Sequence, residues 1–121
     1  MGVVAEAKNG GSRSLSYLYW GWIRHVADEE GVVLPRTGSE TDHLSEDEVK
    51  RLASALRARA EKIRKGIVPR DASSFVKRLG DQWLPKDKGV VGNLSADFDD
   101  PGSMEKTAGF FESSGGVTLR Y

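Results

Sequence analysis

The stretch from Leu44 to Pro69 carries the sharpest start and stop signals in this chain. Ser45 followed three residues later by Glu48 is a capping box: the serine oxygen takes the Glu48 N–H, and the Glu48 carboxylate reaches back to the Ser45 N–H. Leu44 before the cap and Val49 inside the first turn can staple the entry of the chain. Val49, Leu52, Ala53, Leu56, Ala60, Ile63 and Ile67 then recur at intervals of three and four, which is one face of an amphipathic helix. Gly66 and Pro69 end it. A helix bounded in this way must bury that face, so the other elements are arranged around it.

Those elements are less sharply marked. Gly2 to Ala7 reads as a strand ended by the turn-forming Asn9-Gly10-Gly11. Leu15, Leu18, Tyr19, Trp22, Ile23, Val26 and Ala27 form the stripe of a first helix, capped by Ser14 and stopped by Gly31. Residues 31–43 read as loop, with Val32 to Leu34 extended before Pro35. A shorter helix is expected from Asp71 or Ser73 to Leu84, with Phe75, Val76, Leu79 and Trp83 inward and Pro85 closing it. Residues 85–102 hold three glycines and two prolines and show no sustained period, so they read as a long irregular loop. Ser103 is the expected cap of a last helix bearing Met104, Thr107, Ala108 and Phe111. Val117 to Tyr121 alternates like a strand whose natural partner is Gly2 to Ala7. The expected fold is therefore α+β and mainly helical. Three to four helices pack on a small antiparallel sheet that pairs the N- and C-terminal strands, in a single domain over residues 1–121.

Composition narrows the function. The 121 residues contain no cysteine, which removes disulfide frameworks, thiolate metal sites and a thiol nucleophile. Eighteen basic residues balance 18 acidic ones. A chain that coats nucleic acid or an anionic membrane is usually basic overall. The apolar runs are far shorter than the roughly 20 residues of a spanning helix, and Met1 to Lys8 has no leader-like pattern. The expected location is cytoplasmic.

Few residues carry chemistry. His25 and His43 are the whole imidazole inventory, with no further ligand at zinc-site spacing. Asp97 to Gly102 opens like a calcium loop, but Pro101 interrupts it and Ala108 stands where a bidentate glutamate is needed. Gly89 to Gly92 and Gly115-Gly116 have no phosphate-loop context. The expectation is a non-enzyme with no catalytic residue, no cofactor and no metal.

Two surfaces remain. Tyr17, Trp20 and Arg24 run beside the core stripe of the first helix, and Tyr, Trp and Arg are the types enriched in binding hot spots. Trp20 is either such an anchor or, if other elements wrap the helix on two sides, part of the core. Arg24 is four residues from Trp20, the spacing at which a guanidinium lies over an indole. The other surface is the ridge Lys50, Arg57 and Arg64 on the 45–66 helix, the basic face that nucleic acid would use. The helix dipole accounts for much of that charge order, with acids early and bases late, and no aromatics are interleaved for stacking.

Trp20-Gly21-Trp22, Pro35 with Thr37-Gly38, the capped run Ser45 to Leu56, and Phe110 to Leu119 together resemble a group of small bacterial proteins of unknown function. The resemblance implies a similar order of elements and carries no activity. The expected function is a non-enzymatic protein-binding module of a bacterium or phage, of inhibitor, immunity or anti-defence type, whose partner is another protein. The alternative is a small nucleic-acid-associated regulator that works through the basic face.

Overall fold

A computed structural model of the chain describes residues 2–34, 40–69 and 99–121, apart from the side chain of Leu18. In chain order its elements are β1 (Gly2–Ala7), β2 (Ser12–Ser16), α1 (Tyr17–Glu29), β3 (Thr41–Leu44), α2 (Glu46–Arg64), α3 (Pro101–Ser113) and β4 (Val117–Arg120). The four strands form one antiparallel sheet in the order β2-β1-β4-β3. The N- and C-terminal strands are neighbours at its centre, and the fold is α+β and mainly helical. The expected helix at 71–84 and residues 85–98 of the expected loop lie outside the described residues.

Strand alternation decides which face is covered. Val3 and Ala5 of β1 and Val117 and Leu119 of β4 are buried, while Val4, Glu6 and Arg120 between them face solvent. The buried face receives Trp22, Ile23 and Val26 from α1, Val49, Leu52 and Leu56 from α2, and Met104, Ala108 and Phe111 from α3. The capping box is formed as expected: the Ser45 hydroxyl accepts from Glu48 N, and Glu48 accepts from Ser45 N at 2.9 Å.

Two glycines are required by close approach. A Cβ on Gly2 would stand 2.6 Å from the Leu15 carbonyl oxygen of the neighbouring strand. Gly116 holds φ at +123°, and a Cβ there would meet the Leu44 oxygen at 3.0 Å. Either substitution would push strands apart at the sheet's margins.

Three boundaries differ from the sequence reading. The first helix begins at Tyr17 with Ser16 as its cap, its hydroxyl accepting from Tyr19 N at 3.0 Å, so Ser14 does not cap it. Ser12–Ser16 is instead a strand, and Leu15 is buried opposite Val3 rather than on the helix. The turn at Gly10, with φ at +106°, folds this strand back onto β1, whose hydrogen bonds outweigh helix propensity there. Thr41–Leu44, expected as loop, is a strand paired with β4; its inward Asp42 hides the apolar alternation. The last helix is capped by Asp100, which accepts from Ser103 N at 3.0 Å, with Pro101 in its first turn. Ser103 is therefore a donor within the turn and not the cap.

Both sheet edges point a charge inward. The row Arg13–Ala5–Leu119–Asp42 crosses all four strands on the covered face and begins and ends on an ionisable residue. Inward charges on edge strands discourage a further strand from adding to the sheet. No described helix is long and apolar enough to cross a membrane.

Candidate functional site

The first helix was expected to present Tyr17, Trp20 and Arg24 together. The structure separates them. Tyr17 is 40% exposed and Arg24 half-buried, but Trp20 is only 4% exposed. Its ring lies 6.1 Å from that of Phe111 on α3. Trp20 is a core residue, and its reading as an exposed anchor is corrected. The reason is angular. Positions seven apart on a helix differ by only about 20°, so Trp20 shares its azimuth with Ala27, which is fully buried.

A residue the sequence reading passed over takes its place at the surface. Tyr121, 38% exposed, follows β4 and keeps its strand alignment through a 3.0 Å hydrogen bond from its N–H to the Glu40 carbonyl. Its hydroxyl donates to Asp42 Oδ2 at 2.6 Å, and Asp42 is buried. Burial pushes the Tyr121 phenol above its ordinary pKa, and the hydrogen bond and charge of Asp42 act in the same direction. The Trp20 indole and the Arg24 charge pull it part of the way back. Tyr121 is therefore a fixed neutral donor, and Arg24 lies near it. The alternation of Val117 to Tyr121 was the available signal: Tyr121 continues the inward set of Val117 and Leu119, which places it at the margin of the core.

The basic ridge of α2 also changes character. Lys50 pairs with Glu46 at 3.1 Å, Arg57 with Glu112 and Arg64 with Glu105. The last two acids lie seven residues apart on α3, so they meet the seven-residue spacing of Arg57 and Arg64 across an antiparallel helix pair. Arg51 pairs with Asp47 at 2.9 Å and Lys65 with Glu61 at 3.3 Å. Arg59, whose side chain is 6% exposed, bridges Glu29 and Glu30 at the end of α1, and Lys62 reaches Glu30 at 2.7 Å. Burial alone would raise the Glu30 pKa. The hydrogen bonds and charges of Lys62 and Arg59 outweigh it and hold the carboxyl below its ordinary value. Every lysine and arginine from Lys50 to Lys65 thus has an acidic partner within the chain. Four of these seven bases find their acids on α3 or at the end of α1, which a scan along α2 alone does not register.

The open face of the sheet carries small and polar side chains, among them Ser12, Ser14, Glu6, Thr118, His43 and Arg120. His43 Nδ1 lies 3.0 Å from Thr118 Oγ1, and Arg120 pairs with Glu6 at 3.0 Å. Among the described residues no aromatic ring stands on this face to stack a base. His25 pairs with Glu29 at 2.9 Å on α1, remote from His43. Among the described residues no three His, Cys, Asp or Glu side chains converge as a metal site would require. Of the calcium-like run, Asp100 is engaged as a helix cap and Asp99 is buried, while Asp97 and Phe98 lie outside the described residues. Comparison with protein-family models, with curated proteins and with solved structures finds no match to this chain.

Proposed function

We propose that the chain is a protein-binding module with no catalytic activity of its own, from a bacterium or phage and of inhibitor, immunity or anti-defence type. The observation that carries this reading is the surface at Tyr17, Arg24 and Tyr121. It combines two part-exposed tyrosines and an arginine with rigid support: Trp20 beneath in the core, and Asp42 holding the Tyr121 hydroxyl. Tyrosine and arginine on a pre-organised base are what hot spots use, because little side-chain freedom is lost on binding. The alternative, nucleic-acid binding through Lys50, Arg57 and Arg64, has less support. Phosphate would first have to displace Glu46, Glu112 and Glu105 from those side chains.

The test is capture of partners on immobilised wild-type chain and on Tyr17→Ala and Tyr121→Ala chains, with folding checked by circular dichroism. A protein retained by the wild type and lost from both variants supports the surface. Partners retained equally by all three would remove it. DNA or RNA binding at physiological salt that Arg57→Glu with Arg64→Glu abolishes would put the nucleic-acid reading first.

A further inference from the structure

Acidic and basic side chains four residues apart on the described helices are joined at four places: His25–Glu29 on α1, and Lys50–Glu46, Arg51–Asp47 and Lys65–Glu61 along α2. Arg24 and Asp28 on α1 have the same spacing and opposite sign. Neither forms an ion pair with the other or with any other described residue. Both lie off the buried arc of α1, Asp28 exposed and Arg24 half-buried. Steps of seven and eleven residues return to nearly the same side of a helix. Tyr17, Arg24 and Asp28 therefore lie along one ridge. Tyr17 stands at its start, and Val33, 81% exposed, follows the turn at its end.

We propose that this ridge is an interface between two copies of the chain, α1 packed antiparallel against its counterpart about a two-fold axis between Arg24 and Asp28. In such an isologous contact each copy offers what the other lacks. Arg24 meets Asp28 of the second copy, and the reverse contact forms by symmetry. At about 1.5 Å per residue, Tyr17 lies roughly 13 Å from the axis. That carries it past the C-terminal end of the second copy's α1, toward the turn that leads to Val33. The charge pattern selects this occupant. A uniformly acidic partner would leave Asp28 opposed, a basic one would leave Arg24 opposed, and a second copy in antiparallel register satisfies both. The inference rests on the protein-binding reading and names the partner.

The experiment is light scattering on the full chain over a concentration series, for wild type, Arg24→Asp, Asp28→Arg and an equimolar mixture of the two variants. Circular dichroism melts check that each variant folds. The wild type should dimerise, and added salt should weaken the dimer. Each variant alone should be monomeric, because like charges then face each other twice. The mixture should recover the dimer, since each variant supplies the sign the other lacks. Tyr17→Ser should shift the dimer midpoint to higher concentration. A wild type monomeric throughout, variants that dimerise like wild type, or a mixture that stays monomeric would each overturn the inference. Any of those results leaves capture of a different protein by the Tyr17 and Tyr121 surface to be decided by the Proposed function experiment.

Discussion

The helices α1 and α2 both mix apolar and charged residues, but they treat their charges in opposite ways. On α2 every base from Lys50 to Lys65 is closed, by acids on its own surface, on α3, or at the end of α1. On α1 the acids Glu29 and Glu30 at the C-terminal end hold α2, while Arg24 and Asp28 have no ion-pair partner among the described residues and stand on the ridge of an exposed tyrosine. A helix that satisfies its charges internally is organised for the fold. A helix that leaves opposite charges open has something left to offer outside it. Counting charge along the sequence singles out α2, because it records how many charges there are and not which are spoken for.

The largest effect expected is at the tryptophans. Trp20→Ala and Trp22→Ala should each cost about 3–5 kcal/mol by chemical denaturation, since both leave a cavity in a closed core. A Trp20→Ala chain that melts like wild type would mean the indole is not core, and the contrast between the two helices would have to be redrawn. Next comes Arg59→Ala, which leaves Glu30 with Lys62 alone. Truncating one member of a largely buried network while another still compensates should cost about 1–2 kcal/mol. Loss of less than Arg57→Ala would show that the α1–α2 junction is not the stronger one.

The pH dependence sharpens the same contrast. Glu30 has a folded pKa below its unfolded value. Its contribution is therefore present above the ordinary carboxylate pKa of about 4.3 and is lost as pH falls through the lower folded value. Melting temperature against pH should fall more steeply in acid for wild type than for Glu30→Gln. Tyr121 is shifted upward. Its contribution is complete below about pH 10 and is lost as pH rises through the higher folded value. Tyr121→Phe should cost about 1 kcal/mol at neutral pH, for one lost hydrogen bond to Asp42. It should also flatten the alkaline limb of the profile. Smallest of all, Arg57→Ala and Arg64→Ala should each cost less than about 1 kcal/mol, because their pairs with Glu112 and Glu105 are exposed. Salt titration of the wild type should change stability by a similarly small amount.

Legibility in the sequence followed the range of the interactions involved. The capping box at Ser45 and Glu48 and the buried face of α2 were readable because partners lie within four residues. The strand at Ser12–Ser16 was missed because Ser-Arg-Ser-Leu-Ser precedes a helical stripe to which Leu15 can be joined by spacing alone. Thr41–Leu44 was missed because its inward position is Asp42, so its pattern is not that of a buried strand. At the surface, Tyr17 and Arg24 were legible as residue types at helical spacing. Tyr121 was legible only as the next inward position after Val117 and Leu119, and only the pairing of β4 with β3 brings it to Asp42 and near Arg24.

By itself the sequence determined the α+β class, the α2 helix with its cap, and the meeting of the two terminal strands, all of which follow from periodicity and local hydrogen bonding. Only the tertiary structure decided that Trp20 is core, that α2 is electrically closed, and that Arg24 and Asp28 lack an ion-pair partner among the described residues. Those outcomes depend on which side chains from distant segments arrive at the same place. Burial and charge pairing are properties of that meeting, and no window along one helix contains both partners.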